Sequence, residues 1–144
     1  MSAIAGIDPG VTGAIGFVGE YATTVFDMPS NPQDLADLIK ALPTVSLFVV
    51  EQSQPMPRQG VVSTFKTGQG YGQILGVLAA LCRPYVLVTP AKWKKGMGLD
   101  NDKEKSRALA RSLWPTAALS RKKDHGRAEA LLIAEWWRRQ EEKR

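Results

Sequence analysis

The chain has 144 residues, of which 44% are hydrophobic and 23% are charged. These values are typical of one folded domain, expected over residues 1–144, and exclude a disordered chain. The single cysteine, Cys82, excludes an intramolecular disulfide and a cysteine zinc cluster, and its apolar neighbours predict that it is buried. No apolar run reaches the roughly 20 residues that a membrane-spanning helix needs, and no signal-peptide pattern is present. We therefore expect a cytoplasmic protein with no membrane partner.

The net charge of +5 is distributed unevenly along the chain. Residues 1–60 carry two basic and six acidic residues, whereas residues 61–144 carry 17 basic and eight acidic residues. A strongly basic half attracts the phosphate backbone of a nucleic acid. A solvated surface is the alternative interpretation for any single lysine, so the charge favours a nucleic-acid partner without establishing one.

Three strands are predicted at the start of the chain. An apolar run ends at Asp8, where Pro9 and the glycines that follow predict a tight turn. Aspartate commonly begins a turn, so this stretch alone leaves a purely structural role open for Asp8. Residues 13–18 and 21–26 have strand composition and are joined by a connection short enough for a hairpin. The three strands are expected to form an antiparallel meander.

A helix and a buried strand are predicted next. The helix is capped at residues 30–31, carries apolar residues at helical spacing and ends at Pro43. Residues 45–51 form a mostly apolar run that is typical of an interior strand, and this run also finishes on an acid, Glu51. If the strand lies parallel to the first one, Asp8 and Glu51 emerge at the same edge of the sheet.

The second half of the chain alternates between loops, helices and one more strand. Residues 52–72 are rich in proline and glycine and predict a long mobile loop, which leads into a helix over residues 69–81. A fifth strand is predicted at residues 85–88, followed by a basic segment at residues 92–96 in which the tryptophan is expected to pack. Asp102 is expected to cap a basic helix.

The last helix is predicted over residues 124–140, with a tail over residues 140–144 that is expected to fray. His125 and Glu129 are four residues apart and therefore share one face of it. The complete order predicts an α/β fold, a five-stranded mixed sheet with helices on both faces, whose ligands bind beyond the carboxyl ends of the strands.

The convergence of these acids predicts a metal site. Carboxylates held close together repel each other unless a cation compensates, and oxygen ligands favour Mg²⁺ or Mn²⁺. Two such ions, about 3.5–4 Å apart, activate a water and stabilise the leaving oxygen of a phosphodiester. Each candidate ligand also has a structural alternative. Glu51 could pair with a lysine, His125 could cap a helix or lie on the surface, and Glu129 could pair with Lys122 or Lys123.

Three motifs resemble those of the RuvC-like Holliday junction resolvases, a family of the RNase H-like superfamily, and in particular the short phage and prophage forms. Residues 6–13 (GIDPGVTG) resemble the first family motif, residues 49–51 (VVE) the second and residues 127–134 (RAEALLIA) the last. The resemblance covers nearly the whole chain and implies an RNase H-like fold. The first motif also resembles the phosphate-binding hairpin of actin-like ATPases and sugar kinases, which use two such domains.

The resemblance implies a Mg²⁺-dependent endonuclease that acts as a homodimer on two opposing strands of a four-way DNA junction. Asp8, Glu51 and Glu129 would be its catalytic, metal-binding acids. The chain departs from the family at Glu129, where aspartate is usual, and at Gly126, where the family has an acid or histidine. The fourth catalytic ligand is therefore expected from His125, with Asp124 as the alternative metal ligand.

The resemblance also implies a DNA interface. In the family a side chain from the loop after the second acid enters the junction centre, and Phe65 resembles that wedge, with core packing as the alternative. Insertion of such a side chain unstacks bases at a cost of a few kcal/mol per step. Basic residues would contact phosphates, which position a duplex without reading its sequence. The expected contacts are Lys66, Lys92, Lys94, Lys95, Lys103, Arg107 and Lys123.

Two other functions remain open at this point. A non-catalytic protein that binds branched DNA would keep the basic surface without needing Asp8 or Glu51. An actin-like ATPase or kinase fragment would need a second lobe and a nucleotide pocket.

Overall fold

The structure is a computed structural model that describes residues 3–42 and 45–144. Two of its helices begin at the caps expected from the sequence. The side chain of Asn31 accepts a hydrogen bond from the backbone N–H of Asp34, and Asp102 does the same for Glu104. The elements in chain order are β1 (Ala3–Asp8), β2 (Ala14–Val18), β3 (Thr23–Asp27), α1 (Pro32–Ala41), β4 (Val45–Glu51), α2 (Val61–Ala80), β5 (Tyr85–Val88), α3 (Pro90–Gly96), α4 (Lys103–Leu113), a 3₁₀ turn (Lys122–Asp124) and α5 (His125–Glu142).

The five strands form one mixed sheet in the order β3-β2-β1-β4-β5. The pairs β1–β2 and β2–β3 are antiparallel, whereas β4 lies parallel to both β1 and β5. This arrangement confirms the predicted antiparallel meander and the central parallel pair. The carboxyl ends of β1, β4 and β5 consequently meet at one edge of the sheet.

Helices cover both faces of the sheet, as predicted. One face packs against α1 and α2, and the other packs mainly against α5, with α3 and α4 beside it. Each face has its own hydrophobic core because successive strand side chains point to opposite sides. Ile7 and Val50 lie in the core beneath α1 and α2, whereas Ile4 and Val49 lie in the core beneath α5.

The close approach of α5 depends on two glycines that face each other across β1 and β2. Gly6 and Gly16 are register partners. A Cβ on Gly6 would overlap the carbonyl oxygen of Ala130, and one on Gly16 would lie 2.7 Å from the backbone nitrogen of Leu131. The backbone of α5 therefore rests almost directly on the sheet, which brings the helix to the edge where Asp8 stands.

The predicted long loop over residues 52–72 is wrong in its second half. The helix α2 begins at Val61, and the loop is confined to residues 52–60. Glycine in a helix costs about 1 kcal/mol relative to alanine, which is why the glycine-rich stretch suggested a loop. Tertiary packing outweighs this cost, because the inner face of the helix buries Ile74 and Leu78.

The side chain of Gln59 connects the shortened loop to the start of α2. Its oxygen accepts a hydrogen bond from the backbone N–H of Met56 at 3.0 Å. Its nitrogen donates to Ser63 Oγ at 3.0 Å and to Thr67 Oγ1 at 3.1 Å. These bonds span the first two turns of the helix and help to fix where it begins.

Other expectations need smaller corrections. Cys82 is exposed rather than buried, because it follows the end of α2 in a turn with a φ of 54°. The basic segment at residues 92–96, for which no secondary structure was predicted, forms most of a helix, α3. The last helix continues to Glu142, so the tail predicted to fray from residue 140 is helical for two more residues than expected. Pro43, predicted to end the first helix, lies outside the described residues.

None of the helices in the described ranges is long and apolar enough to cross a membrane.

Candidate metal centre

Asp8 and Glu51 are the final residues of the adjacent parallel strands β1 and β4. Ile7 is paired with Val50, so the two acids are the next residues along in the same register. Because Ile7 and Val50 point into the core beneath α1 and α2, the acids that follow them point to the face covered by α5. Both predicted acids therefore stand side by side beneath the last helix.

Glu129 on α5 is the third acid at this place and is only 2% exposed. Its Oε1 accepts a hydrogen bond from Lys103 Nζ at 2.8 Å. Its Oε2 lies 3.7 Å from Nζ of Lys94, whose side chain is 10% exposed. The partners expected from local sequence, Lys122 and Lys123, do not make these contacts, so that structural alternative for Glu129 is wrong.

The three acids act on one another electrostatically. Burial raises the pKa of Asp8, and the negative charge of Glu129 raises it further. Burial likewise raises the pKa of Glu51 from 4.5 to about 7, against a hydrogen bond from Trp93 that lowers it and with added repulsion from Asp8 and Glu129. The site therefore concentrates negative charge in a poorly solvated position, which is the condition that a bound cation relieves.

Lys103, which bonds to Glu129, is coupled electrostatically to the same three acids. Burial lowers the pKa of Lys103, but its hydrogen bond and charge interaction with Glu129 outweigh this and leave the pKa above its usual value. Asp8 and Glu51 also favour the charged form of Lys103. The ammonium group thus serves as a cation for all three acids.

The donor set fits a divalent cation, although the side chains are not arranged around one. Among residues 3–42 and 45–144, no group of three or more His, Cys, Asp or Glu side chains is close enough to hold an ion as it stands. Glu129 contacts Lys103 and Lys94 instead. Three buried side-chain atoms lack a hydrogen-bond partner in the described part of the chain, and two of them belong to predicted ligands, Oε2 of Glu129 and Nδ1 of His125. Carboxylate oxygens suit hard divalent cations, and an imidazole nitrogen suits transition-metal ions.

The start of α5 distinguishes the two candidates for a fourth ligand. The carboxylate of Asp124 receives hydrogen bonds from the backbone and guanidinium of Arg121, at 2.8 Å for the shortest of them. Burial raises the pKa of Asp124, but the bonds from Arg121 outweigh it and hold the pKa below its usual value. His125 has an unpaired buried nitrogen instead, and its charge acts on Asp8. The contacts favour His125.

Gly126 cannot be replaced by a ligand residue without moving the backbone. A Cβ at this position would overlap the carbonyl oxygen of Thr12. The absence of an acid or histidine here, noted above as a departure from the family pattern, thus follows from the close contact between the start of α5 and the turn after Asp8.

An open cleft of about 570 Å³ lies beside Asp8 and Glu51. Its other walls come from the loop after β4 and from the segment that follows β5. Several of its lining residues offer amide or hydroxyl groups to a ligand, and no sequence motif singled them out. These are Gln52, Ser53, Gln54, Thr89 and Asn101.

The predicted DNA contacts fall into two groups. Phe65 is 70% exposed, so the core-packing alternative for it is wrong, and the basic residues exposed with it are Lys66, Lys92, Lys95 and Lys123. The second group already has partners within the chain. Lys94 is buried, Lys103 bonds to Glu129, and Arg107 bonds to Glu104 and to the carbonyl oxygens of Leu119 and Ser120.

The sequence did not identify Trp93 as part of the site. Its indole Nε1 donates to Oε2 of Glu51 at 2.7 Å, so the expected packing role is accompanied by a hydrogen bond to an acid. The alternative in which Glu51 pairs with a lysine is therefore wrong, because its hydrogen-bond donor is a tryptophan. The strand order could have indicated this role for Trp93. Because β5 lies parallel to β4, the segment that follows β5 must begin at the sheet edge where Glu51 stands.

Comparison with known proteins agrees with this architecture. No protein-family model matches the chain. A chloroplastic Holliday junction resolvase, MOC1, of Chlamydomonas reinhardtii is 36% identical over 101 residues, which is 67% of the chain but 12% of that protein. The chain thus spans about an eighth of the length of this relative.

Solved structures match over almost the full chain. Thermus thermophilus RuvC in complex with a Holliday junction substrate has a TM-score of 0.69 and 19% identity, covering 97% of this chain and 96% of that one. The yeast mitochondrial Holliday junction resolvase Ydc2 has a TM-score of 0.51 and 16% identity, covering 94% and 78% respectively. The chain therefore has the RNase H-like fold of the RuvC structures, and its sequence is similar to that of MOC1.

Proposed function

We propose that the protein is a structure-selective endonuclease that resolves four-way DNA junctions. The observation that carries the proposal is the convergence of Asp8, Glu51 and Glu129, from two strands and a helix, at one edge of the sheet. Its support from relatives is that MOC1, RuvC and Ydc2 are all described as resolvases or as bound to a Holliday junction. Hydrolysis of a phosphodiester is the chemistry that clustered carboxylates and divalent cations perform.

The metal ligands we propose are Asp8, Glu51, Glu129 and His125, with Mg²⁺ or Mn²⁺ as the ion and two ions in each site. Bound divalent cations lower the pKa of a water and stabilise the leaving oxygen of the phosphodiester. The residues of the chain supply the anionic ligands for them. Glu129 must exchange its bond to Lys103 for a cation, and the half-exposed lysine is free to swing away toward solvent or a phosphate.

The DNA interface we propose is the exposed basic surface around the cleft. Phe65 is the residue expected to enter the junction centre, because a large aromatic side chain with 70% exposure has no packing role of its own. Lys94 is left out of the proposed phosphate contacts because it is buried beside Glu129. Arg107 is left out because its side chain is only 15% exposed and bonds to Glu104 and to two backbone carbonyl oxygens. The proposed contacts are Lys66, Lys92, Lys95, Lys103 and Lys123.

We also propose that the active form is a homodimer. A four-way junction has two-fold symmetry, and resolution requires a cut in each of two opposing strands. One chain carries one set of acids, so two copies related by a two-fold axis would match the substrate. Sedimentation or light scattering of the protein, alone and with a junction, measures the number of copies directly.

The test is cleavage of a synthetic four-way junction in the presence of Mg²⁺. Wild-type protein is expected to cut it, and Asp8→Asn is expected to bind the junction without cutting. Asp37→Asn is a matched control, because Asp37 is an exposed aspartate on α1 outside the site, and should cut like wild type. Equal cutting by the Asp8 variant would overturn the proposed site. Binding by wild type with no cutting would instead support a non-catalytic junction-binding protein.

A further inference from the structure

Two consecutive residues of the short helix α3 contact two of the acids. Trp93 is fully buried, and its indole N–H donates to Oε2 of Glu51 at 2.7 Å. The next residue, Lys94, places its ammonium 3.7 Å from Oε2 of Glu129 and 5.6 Å from the centre of the Trp93 ring. The helix therefore lies between an acid at the end of a strand and an acid on α5.

The position of α3 is fixed at both ends. Its first turn is capped by Thr89, whose hydroxyl accepts a hydrogen bond from the backbone N–H of Lys92 at 3.3 Å. At its last residue, Gly96, a Cβ would overlap the indole of Trp136 on α5. The indole of Trp93 thus starts from a backbone that is held against the same helix that carries Glu129.

An indole is well suited to holding a carboxylate that must also bind a cation. A lysine or arginine in the same place would neutralise the acid and repel an incoming metal ion, whereas an indole N–H donates a hydrogen bond without bringing a net charge. It also occupies only one of the two carboxylate oxygens. Since Asp8 and Glu129 repel the charge of Glu51, a neutral donor on Oε2 opposes a rotation of the carboxylate away from them.

We propose that Trp93 is a positioning residue for the reaction: its indole fixes Oε2 of Glu51 and leaves Oε1 to bind the divalent cation. The inference rests on the proposed function, because it assigns a role within that metal site. Groups that hydrogen-bond to a metal ligand and so orient it commonly contribute 10–100-fold in metal affinity or activity. Loss of the indole N–H is therefore expected to weaken metal binding about 10-fold or more.

The test removes the N–H while keeping the shape of the side chain. Trp93→Phe removes the N–H but leaves a cavity, so the decisive variant is Trp93→3-benzothienylalanine, in which sulfur replaces the N–H in a ring system of the same shape. The matched control is Trp137→Phe, because the indole of Trp137 donates to Glu141 at 2.9 Å on an exposed part of α5. Binding is measured with Mn²⁺ alone, from the electron paramagnetic resonance signal of the free ion.

We expect the benzothienyl variant to bind Mn²⁺ about 10-fold or more weakly than wild type, with an unchanged melting temperature in EDTA and an unchanged affinity for a junction in EDTA. Trp137→Phe should bind Mn²⁺ like wild type. In a Glu51→Gln background the benzothienyl substitution should weaken Mn²⁺ binding by less than about twofold, because its effect acts through Glu51.

Two results overturn the positioning role while leaving the proposed function intact. Wild type and the benzothienyl variant could bind Mn²⁺ equally well while wild type cuts a junction, or the loss could persist in full in the Glu51→Gln background. Wild-type protein that neither binds Mn²⁺ nor cuts a junction would overturn the proposed function and the positioning role together.

Discussion

Glu51→Gln is expected to stabilise the protein at neutral and alkaline pH when divalent cations are absent. Burial, with added repulsion from Asp8 and Glu129, raises the pKa of Glu51 from 4.5 to about 7. The folded protein therefore holds this proton more tightly than the unfolded chain does. The stability contributed by the neutral carboxyl is complete below pH 4.5 and is lost as the pH rises through about 7. Glutamine stays neutral throughout and removes that loss.

The magnitude follows from the interval between the two pKa values. From 4.5 to about 7, at about 1.36 kcal/mol for each pH unit, the upper bound is about 3 kcal/mol. The half-exposed Lys103 and local relaxation shield part of the charge, so we expect a gain of about 1–3 kcal/mol at pH 8 and almost none at pH 4.5. The amide oxygen of glutamine still accepts the hydrogen bond from Trp93, so the indole keeps a partner.

The assay is urea unfolding of wild type and Glu51→Gln in EDTA across pH 4.5–8. Glu135→Gln is the control with the opposite sign. Burial raises the pKa of Glu135, but hydrogen bonds from Arg138 and Arg139 outweigh it and hold the pKa below its usual value. That variant should be less stable than wild type across pH 5.5–8, and the deficit should shrink only when the assay is extended below pH 4.5, toward the lowered pKa of Glu135. No gain for Glu51→Gln at pH 8, or an equal gain at pH 4.5, would refute the reasoning.

Three further predictions concern packing, the DNA wedge and the metal. Gly16→Ala should lower the free energy of unfolding in urea by about 1–3 kcal/mol, because its Cβ would lie 2.7 Å from the backbone nitrogen of Leu131. Gly72→Ala, which meets nothing within 4 Å, should raise it by about 0.5–1 kcal/mol. Phe65→Ala should change stability by less than about 0.5 kcal/mol and reduce junction cleavage, and undiminished cleavage would contradict the wedge. Mg²⁺ should raise the melting temperature of wild type but not of Asp8→Asn, and an equal rise in both would place the ion elsewhere.

Local sequence patterns predicted most of the fold. Strand composition, helical spacing and caps such as Asn31 and Asp102 depend on residues that are near one another in the chain. The apolar run before Glu51 predicted a buried strand, and the condition that this strand lies parallel to β1 is met. Asp8 and Glu51 therefore end at the same edge of the sheet, as the prediction required.

The prediction failed where tertiary packing overrides local preference. Gly68, Gly70 and Gly72 indicated a loop, yet α2 passes through them because its inner face is buried against the sheet. Cys82 was expected to be buried because its neighbours are apolar, yet it lies in an exposed turn. Composition reports the average environment of a stretch, whereas burial is decided by what lies opposite each side chain.

By itself, the sequence determined that two acids end apolar strands and that a third lies on the last helix. Only the tertiary structure decided their partners. Trp93 contacts Glu51 across 42 residues of sequence, and Lys103 contacts Glu129 across 26. The reason is physical: periodicity records which way a side chain points along its own element. A contact between elements depends on how closely their backbones approach, and here Gly6 and Gly16 set that distance for α5.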